Sequence, residues 1–252
     1  GDLRDLHSFP TRRSSDLYAP CTARIDVLGT TVQLTEQTDY PFNENIHLRF
    51  DVIENEANSL ECSLFLRIPA WATTFELLLN GEPQNVTKKD GFVELHRIFH
   101  KGDQVQLRLP MPLRIQKEAE GGVTLHRGPL LLALPIDAER RVVRGTPPFA
   151  DNELFPRSEW RFALVESELE RAKIAVSSPG DQPFGEESPP LMVRLRLARA
   201  PHWPMVRHSA GPVPPPFSVK EDALLEQTLV PYGCTLLRIA QFPAASILKD
   251  KE

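Results

Sequence analysis

Residues 46–52 read Ile46-His47-Leu48-Arg49-Phe50-Asp51-Val52, with an apolar side chain at every second position. A period of two is typical of a β-strand that buries one face and exposes the other. The same alternation recurs in residues 60–68, 92–98 and 191–197. Strands that follow one another at intervals of about 8–12 residues, with turns between them, are typical of sandwiches and barrels. The sequence therefore predicts an all-β fold.

Turn sequences separate these strands. Asn80-Gly81 follows the apolar run 75–79 and accepts positive φ at both central positions of a tight hairpin turn. Asp90-Gly91 precedes the next predicted strand, and Lys101-Gly102-Asp103 follows it. Residues 211–216 read Gly-Pro-Val-Pro-Pro-Pro, and four of these six residues lack a backbone donor. An extended surface loop is therefore predicted there.

The chain is predicted to contain two β domains. Residues 18–116 fit a jelly-roll-like β-sandwich, and residues 117–243 fit a second, smaller β domain that packs on it. The second domain has shorter predicted strands, a polar Arg-rich stretch at 137–156, and one marginal helix at 165–172. Residues 244–252 are predicted to form a tail, which ends in charged residues.

The first residues lack the pattern of a folded segment. Residues 5–17 read Asp-Leu-His-Ser-Phe-Pro-Thr-Arg-Arg-Ser-Ser-Asp-Leu, which resembles the in-frame translation of a sequencing adapter. They carry no apolar periodicity, and they lack the apolar run of about 7–15 residues that a signal peptide has. We therefore expect residues 1–17 to be artefactual and disordered, and to pack on nothing. The chain is then expected to be a piece of a longer protein that begins here at Tyr18.

Charge and composition exclude several classes of partner. The 252 residues include 29 Lys and Arg against 34 Asp and Glu, a formal net charge of −5. Nucleic acids and anionic membranes attract proteins with a clustered basic excess, so neither is an expected partner. No run approaches the roughly 18 consecutive apolar residues that a membrane-spanning helix needs. Cys21, Cys62 and Cys234 are too far apart in sequence for a dense disulfide framework or a Cys-x-x-Cys zinc site.

Six acidic residues are candidates for glycosidase chemistry, which uses two carboxylates. Each lies at a predicted turn or on the polar face of an alternating strand, where carboxylates are common for solubility alone. A structural role is therefore favoured over the alternative of a complete small enzyme with two carboxylates at a sandwich edge. The six residues are Glu36, Asp39, Glu44, Asp90, Glu94 and Asp103.

Histidine and cysteine residues indicate no site. His96 and His100 are four residues apart, but on a strand this places them about 13 Å apart, too far for one metal ion. The three cysteines are interpreted as small apolar packing residues. The sequence contains neither a Gly-x-Ser-x-Gly elbow nor a Gly-rich phosphate loop. Asn85-Val86-Thr87 matches the glycosylation acceptor pattern, which occurs too often by chance to carry weight.

The three tryptophans are the remaining ligand candidates. Trp71, Trp160 and Trp203 are either core residues or exposed platforms for sugar rings, as in a carbohydrate-binding module. Trp71 follows Pro69-Ala70 at the end of a predicted strand, a position suited to closing one end of the sandwich. Large aromatic side chains bury about 150–250 Å² each and dominate protein cores. The core interpretation is therefore favoured for all three.

Several short segments, taken in order between residues 17 and 243, resemble glycoside hydrolase family 127, the β-L-arabinofuranosidase-like proteins. No single segment is specific to that family, but the ordered set is. The segments are Thr38-Asp39-Tyr40-Pro41-Phe42, Leu66-Arg67-Ile68-Pro69-Ala70-Trp71, Asn80-Gly81-Glu82-Pro83, Lys101-Gly102-Asp103, Leu109-Pro110-Met111-Pro112-Leu113-Arg114, Arg127-Gly128-Pro129-Leu130 and Pro231-Tyr232-Gly233-Cys234-Thr235-Leu236-Leu237-Arg238-Ile239, ending in Phe242-Pro243.

The resemblance implies a catalytic helical (α/α) barrel followed by β-sandwich domains. In family members of known chemistry, three cysteines and a glutamate hold a zinc ion, and one of the cysteines is the nucleophile of retaining hydrolysis. Two of those cysteines are adjacent and precede the region represented here by Leu17-Tyr18-Ala19-Pro20. This chain has no adjacent Cys pair. No catalytic, cofactor-binding or metal residue is therefore assigned in it, and zinc is expected only in the missing catalytic domain.

We accordingly expect a non-catalytic C-terminal fragment of a bacterial glycoside hydrolase that cleaves terminal glycosidic bonds. Its expected partner is the missing N-terminal barrel of the same protein, so that carbohydrate substrate concerns it only indirectly. A homodimer is left open, and so is the compartment, because the native N-terminus is expected to be absent. The alternative is a carbohydrate-binding module with its own sugar affinity. Three residues depart from the family pattern: Phe99 replaces a usual Trp, and Leu132 and Pro135 replace a usual Tyr and Glu.

Overall fold

The computed structural model describes residues 12–15, 18–54, 57–119 and 121–248. The chain divides into two compact units, Gly1–Met111 and Pro112–Glu252. In the described residues the regular structure is β-strand apart from short 3-10 turns, so the all-β prediction is confirmed. Among these residues, no helix is long and apolar enough to cross a membrane.

Unit 1 consists of two sheets. One has the strand order β1-β5-β9-β8, and the other has the order β2-β3-β4-β10-β6-β7. The strands are β1 (Arg12–Ser15), β2 (Cys21–Val27), β3 (Thr30–Thr38), β4 (Asn45–Glu54), β5 (Ser59–Arg67), β6 (Glu76–Leu79), β7 (Glu82–Pro83), β8 (Lys88–Lys89), β9 (Phe92–His100) and β10 (Gln104–Arg108).

The two sheets enclose one apolar core, so the β-sandwich prediction for this part of the chain is confirmed. On β9, Val93, Leu95 and Phe99 point inward and are buried, as the alternating sequence predicts. The Phe99 ring stacks on Phe50 of β4, with centroids 4.4 Å apart and planes inclined by 17°. Because β4 and β9 belong to different sheets, this ring pair joins the two layers.

The predicted hairpin turn at Asn80-Gly81 is confirmed. Asn80 has a φ of 51° and Gly81 a φ of 84°, and the turn joins β6 to β7. Positive φ at both central residues matches the right-handed twist of the paired strands, which is why Asn-Gly is favoured there. Asp90-Gly91 makes a second turn of this kind between β8 and β9, with φ values of 52° and 82°.

The N-terminal stretch differs in part from the expectation. Residues 1–11 and 16–17 lie outside the described residues. The backbone of Arg12–Ser15 forms β1, which pairs in parallel with residues 63–66 of β5. The expectation that residues 1–17 pack on nothing is therefore wrong for these four residues. The physical reason is that the edge of β5 away from β9 offers unpaired backbone groups, with which an extended segment pairs whatever its side chains are.

Unit 2 is built around one long mixed sheet with the strand order β11-β12-β13-β22-β18-β16-β25-β21. Strands β17, β23 and β24 add to it at β18, β13 and β12. The strands are β11 (Leu113–Lys117), β12 (Val123–Arg127), β13 (Leu130–Pro135), β14 (Ala138–Arg144), β15 (Asp151–Pro156), β16 (Phe162–Val165), β17 (Lys173–Val176), β18 (Leu191–Arg199), β19 (Met205–Val206), β20 (Ser209–Ala210), β21 (Phe217–Val219), β22 (Leu224–Pro231), β23 (Arg238–Ile239), β24 (Gln241–Phe242) and β25 (Ala244–Ile247).

Several features of unit 2 differ from the sequence prediction. Residues 244–247, predicted to belong to a tail, form β25, because their backbone pairs in parallel with β16 and β21. Unit 2 is the longer of the two units, not the smaller, and β11 pairs with β12 instead of ending the first domain. The polar stretch 137–156 contains an antiparallel hairpin, β14–β15. The helix predicted at 165–172 is a 3-10 turn at Glu166–Arg171, because strands occupy the residues on both sides of it. Residues 211–216 form the predicted loop.

Candidate functional site

Two of the six candidate carboxylates hold distant parts of unit 1 together. Glu36 is buried, and one of its oxygens accepts a 2.8 Å hydrogen bond from the backbone N–H of Ala19. Glu44 accepts a 2.9 Å bond from the backbone N–H of Met111, and its other oxygen lies 3.3 Å from the guanidinium of Arg108. These bonds fix the backbone at Ala19 and at Met111 onto the sandwich, which is a structural role.

The turn carboxylates have structural roles as well. Asp103 is buried and accepts two 2.8 Å hydrogen bonds, one from the side-chain amide of Asn80 and one from the backbone N–H of His100. In the loop before β4, the backbone carbonyl of Asp39, not its carboxylate, accepts the N–H of Phe42 at 2.9 Å. The favoured structural interpretation agrees with the geometry of the Asp103 carboxylate.

A buried tyrosine, Tyr18, adjoins Glu36, and no sequence motif predicts it. The hydroxyl of Tyr18 donates a 2.7 Å hydrogen bond to the carbonyl of Arg67, and its ring meets Tyr40 edge to face at 5.8 Å. Burial, and after it the negative charge of Glu36, raise the pKa of Tyr18 well above its usual value. Tyr18 therefore stays protonated at neutral pH and serves as a hydrogen-bond donor rather than as a base.

Two of the three tryptophans lie in the interior of unit 2. Trp160 is 5 % exposed and Trp203 is 2 % exposed, and their rings meet edge to face at 5.2 Å. The indole N–H of Trp203 donates a 2.9 Å hydrogen bond to the carbonyl of Gly211. Neither ring is a platform for sugar, so the core interpretation is confirmed for both. Trp71 is half-buried against the core of unit 1.

The outer face of unit 1 carries a groove of about 640 Å³, here called the outer groove. Its floor is the solvent-facing side of β5 and β9, and one wall is the loop that leads into β8. Its lining residues are Phe65, Asn85, Val86, Thr87, Lys89, Asp90, Phe92, Glu94 and His96.

Strand register brings the polar residues of the outer groove together. Ser63 of β5 pairs with His96 of β9, and Phe65 pairs with Glu94. The hydroxyl of Ser63 donates a 2.7 Å hydrogen bond to the Glu94 carboxylate and lies 2.9 Å from Nδ1 of His96. Nε2 of His96 in turn lies 3.5 Å from the carboxylate of Glu61. Glu94 and His96 come together through Ser63 on the neighbouring strand, a contact that sequence patterns do not predict.

Unit 2 has a cavity of different character, with a volume of about 740 Å³. Its walls are mostly apolar, and Pro214, Pro215 and Pro216 supply one side of it. Arg199, His202 and Asp222 are the charged or titratable residues in its lining. We assign this cavity no role.

The sequence of unit 1 matches the model of a known protein family. Residues 14–111 match the family model described as Beta-L-arabinofuranosidase, GH127 middle domain. Over these residues, unit 1 is similar to a GH127 middle domain. The resemblance to glycoside hydrolase family 127 is therefore confirmed for this part of the chain, and the match ends at the same residue, Met111, as the compact unit.

Solved structures extend the likeness in fold to both units. Ara127N-Se, a GH127 β-L-arabinofuranosidase from Geobacillus stearothermophilus T6, has a TM-score of 0.61 and 19 % identity over 95 % of this chain and 34 % of its own. The GH127 β-arabinofuranosidase BT3674 has a TM-score of 0.58 and 19 % identity over 94 % of this chain and 36 % of its own. This chain thus spans about a third of the length of these enzymes. No curated protein matches it.

The cysteines of this chain do not fit the zinc site that family 127 implies. Cys21 is exposed on β2 and Cys62 is half-buried on β5, so these two belong to different sheets of unit 1. Cys234 is buried in unit 2, where burial raises the pKa of its thiol. In the part of the chain that the structure describes, no three His, Cys, Asp or Glu side chains are grouped to hold a metal ion. We derive no zinc chemistry from these residues.

Proposed function

We propose that this chain is the non-catalytic β portion of a GH127-type glycoside hydrolase. In the complete protein, the reaction is the retaining hydrolysis of terminal glycosidic bonds, with L-arabinofuranosyl or a related sugar. The helical barrel that carries zinc and performs the reaction lies outside these residues. The observation that carries the proposal is the match of residues 14–111 to the GH127 middle-domain model, in a chain that spans about a third of two GH127 enzymes.

The side-chain geometry supports this division of labour. Glu36, Glu44 and Asp103 accept hydrogen bonds from backbone N–H groups, so their carboxylates hold the sandwich together. A retaining glycosidase instead needs two carboxyl groups about 5–5.5 Å apart that face a sugar, or another nucleophile in their place. The proposed role of the sandwich is to bury one face of the barrel and to hold that face rigid.

The proposal predicts that this chain alone does not hydrolyse 4-nitrophenyl β-L-arabinofuranoside, with or without added zinc. The measurement is release of nitrophenol over buffer, with the Geobacillus GH127 enzyme as the positive control. Turnover above buffer that is lost in the Glu94→Gln variant would show a complete active site in these residues. That result would overturn the proposal.

A further inference from the structure

We propose that the outer groove of unit 1 binds a short, neutral oligosaccharide. This function differs from the proposed supporting role and does not depend on it, because it requires no barrel and no reaction. It rests on the shape of the groove, on two aromatic rings in its floor, and on a set of polar groups of mixed sign.

The shape of the outer groove suits a ligand of a few sugar units. Its volume of about 640 Å³ lies within the range of about 300–1,000 Å³ that is typical of small-molecule sites. The floor is rigid, since it consists of two strands paired over the full length of β5 and β9. The loop residues Asn85 and Thr87 stand beside this floor and give the groove a wall.

Two phenylalanines occupy positions where the strand pattern calls for polar residues. Phe65 and Phe92 both lie on the solvent side of the sheet, where they are only half-buried. Phe65 pairs with Glu94, so Phe92 is its diagonal neighbour on β9, at about 7–8 Å between the strands. The apolar C–H face of a sugar ring packs against such aromatic faces. Contact between the exposed part of these two rings and water is unfavourable, and a ligand that covers the rings would remove it.

The polar groups of the outer groove match hydroxyl groups better than they match an anion. Lys89 and Asp90 bring opposite charges, and Glu94 adds a second negative charge. A sugar hydroxyl both donates and accepts hydrogen bonds, so it can bond to the acceptor Glu94 as well as to the donor Lys89. Ser63 already positions Glu94 and His96, so binding would lose little side-chain entropy there.

The test is calorimetric titration of the full chain with neutral arabino-, xylo- and gluco-oligosaccharides of two to five units. We expect one class to bind with a Kd of about 0.1–1 mM. Phe92→Ala and Glu94→Gln are each expected to weaken that binding by about tenfold or more. Phe92→Tyr keeps the ring and is expected to keep the affinity. His100→Ala, on the same face of β9 but outside the groove lining, is the matched control.

Absence of binding by all three classes at roughly 10 mM sugar would overturn this proposal. Binding that Phe92→Ala leaves unchanged would overturn it too, as would tighter binding of an anionic oligogalacturonate. Chromatography of the sugar after each titration separates this proposal from the previous one. Hydrolysed sugar would contradict the proposed non-catalytic role of the chain. A failure to bind sugar would contradict only the proposal that the outer groove binds an oligosaccharide.

Discussion

Replacing Phe99 by alanine is expected to destabilise unit 1 by about 3–5 kcal/mol. Phe99 is fully buried, and its ring stacks on Phe50 across the two sheets. Truncation removes the transfer free energy of the ring and leaves a cavity between layers that cannot close without moving a whole sheet. The loss therefore weakens the contact that joins the two halves of the sandwich.

Hydrogen exchange, measured peptide by peptide, detects this effect in unit 1 separately from unit 2. In Phe99→Ala we expect faster exchange in the peptides of β4, β5 and β9, and unchanged exchange in those of β18 and β22. Ile98→Ala is the control, since Ile98 is the neighbouring residue on β9 and is 50 % exposed. If the two variants exchange alike, the ring pair does not join the sheets.

Replacing Glu168 by glutamine is expected to destabilise unit 2 by about 3 kcal/mol. The Glu168 side chain is 1 % exposed and accepts bonds of 2.6 and 2.9 Å from Arg196 and of 3.2 Å from Arg171. Glutamine keeps the shape of the side chain, but it removes the charge and turns one acceptor into a donor that faces the guanidinium groups. The same two arginines also bond to Glu221 at the surface, each at 3.0 Å.

The same measurement tests this prediction, now with the expected change confined to peptides of unit 2. Glu170→Gln, in the same 3-10 turn but exposed, is the matched control and is expected to change stability by less than about 0.5 kcal/mol. Equal stability of the two variants would mean that the buried carboxylate of Glu168 contributes nothing to the stability of unit 2.

Hydrogen bonds from Arg196 and Arg171 lower the pKa of Glu221. The contribution of the Glu221 carboxylate is therefore present at neutral pH and is lost as the pH falls through that lowered value.

Strands with one buried face could be predicted from the sequence. Residues 46–52 lie in β4, and residues 92–98 and 191–197 lie in β9 and β18. In each, apolar residues at alternate positions face a core, for example Leu48, Val93 and Leu195, so the burial that produces the sequence pattern also stabilises the fold. Asn80-Gly81 could be predicted for a similar reason, since few dipeptides accept its backbone conformation.

Strands without a buried face could not be predicted. Most residues of β2 and of the β14–β15 hairpin are exposed, so their sequences show no alternation. Their conformation follows from backbone pairing with a neighbour, which single-sequence patterns do not record. The sequence predicts a helix at 165–172, where the structure has a 3-10 turn at Glu166–Arg171. The flanking strands β16 and β17 limit the length of this turn, and a single sequence does not show where those strands begin and end.

The candidate site was predictable only in fragments. Phe65 and Phe92 lie at outward positions of alternating strands, and this much can be read from the sequence. Their proximity depends on the register between β5 and β9 and on the position of the loop before β8, both of which are tertiary properties. The interior position of Trp160 and Trp203 follows from their size, as expected.

The proposed division between a supporting chain and a separate catalytic barrel is tested most directly at the genomic locus. The measurement is long-read sequencing of native DNA through the codons for Tyr18. We predict a reading frame that continues upstream and encodes an adjacent cysteine pair within a helical domain longer than this chain. A start codon shortly before Tyr18, with no such frame ahead of it, would contradict the proposal.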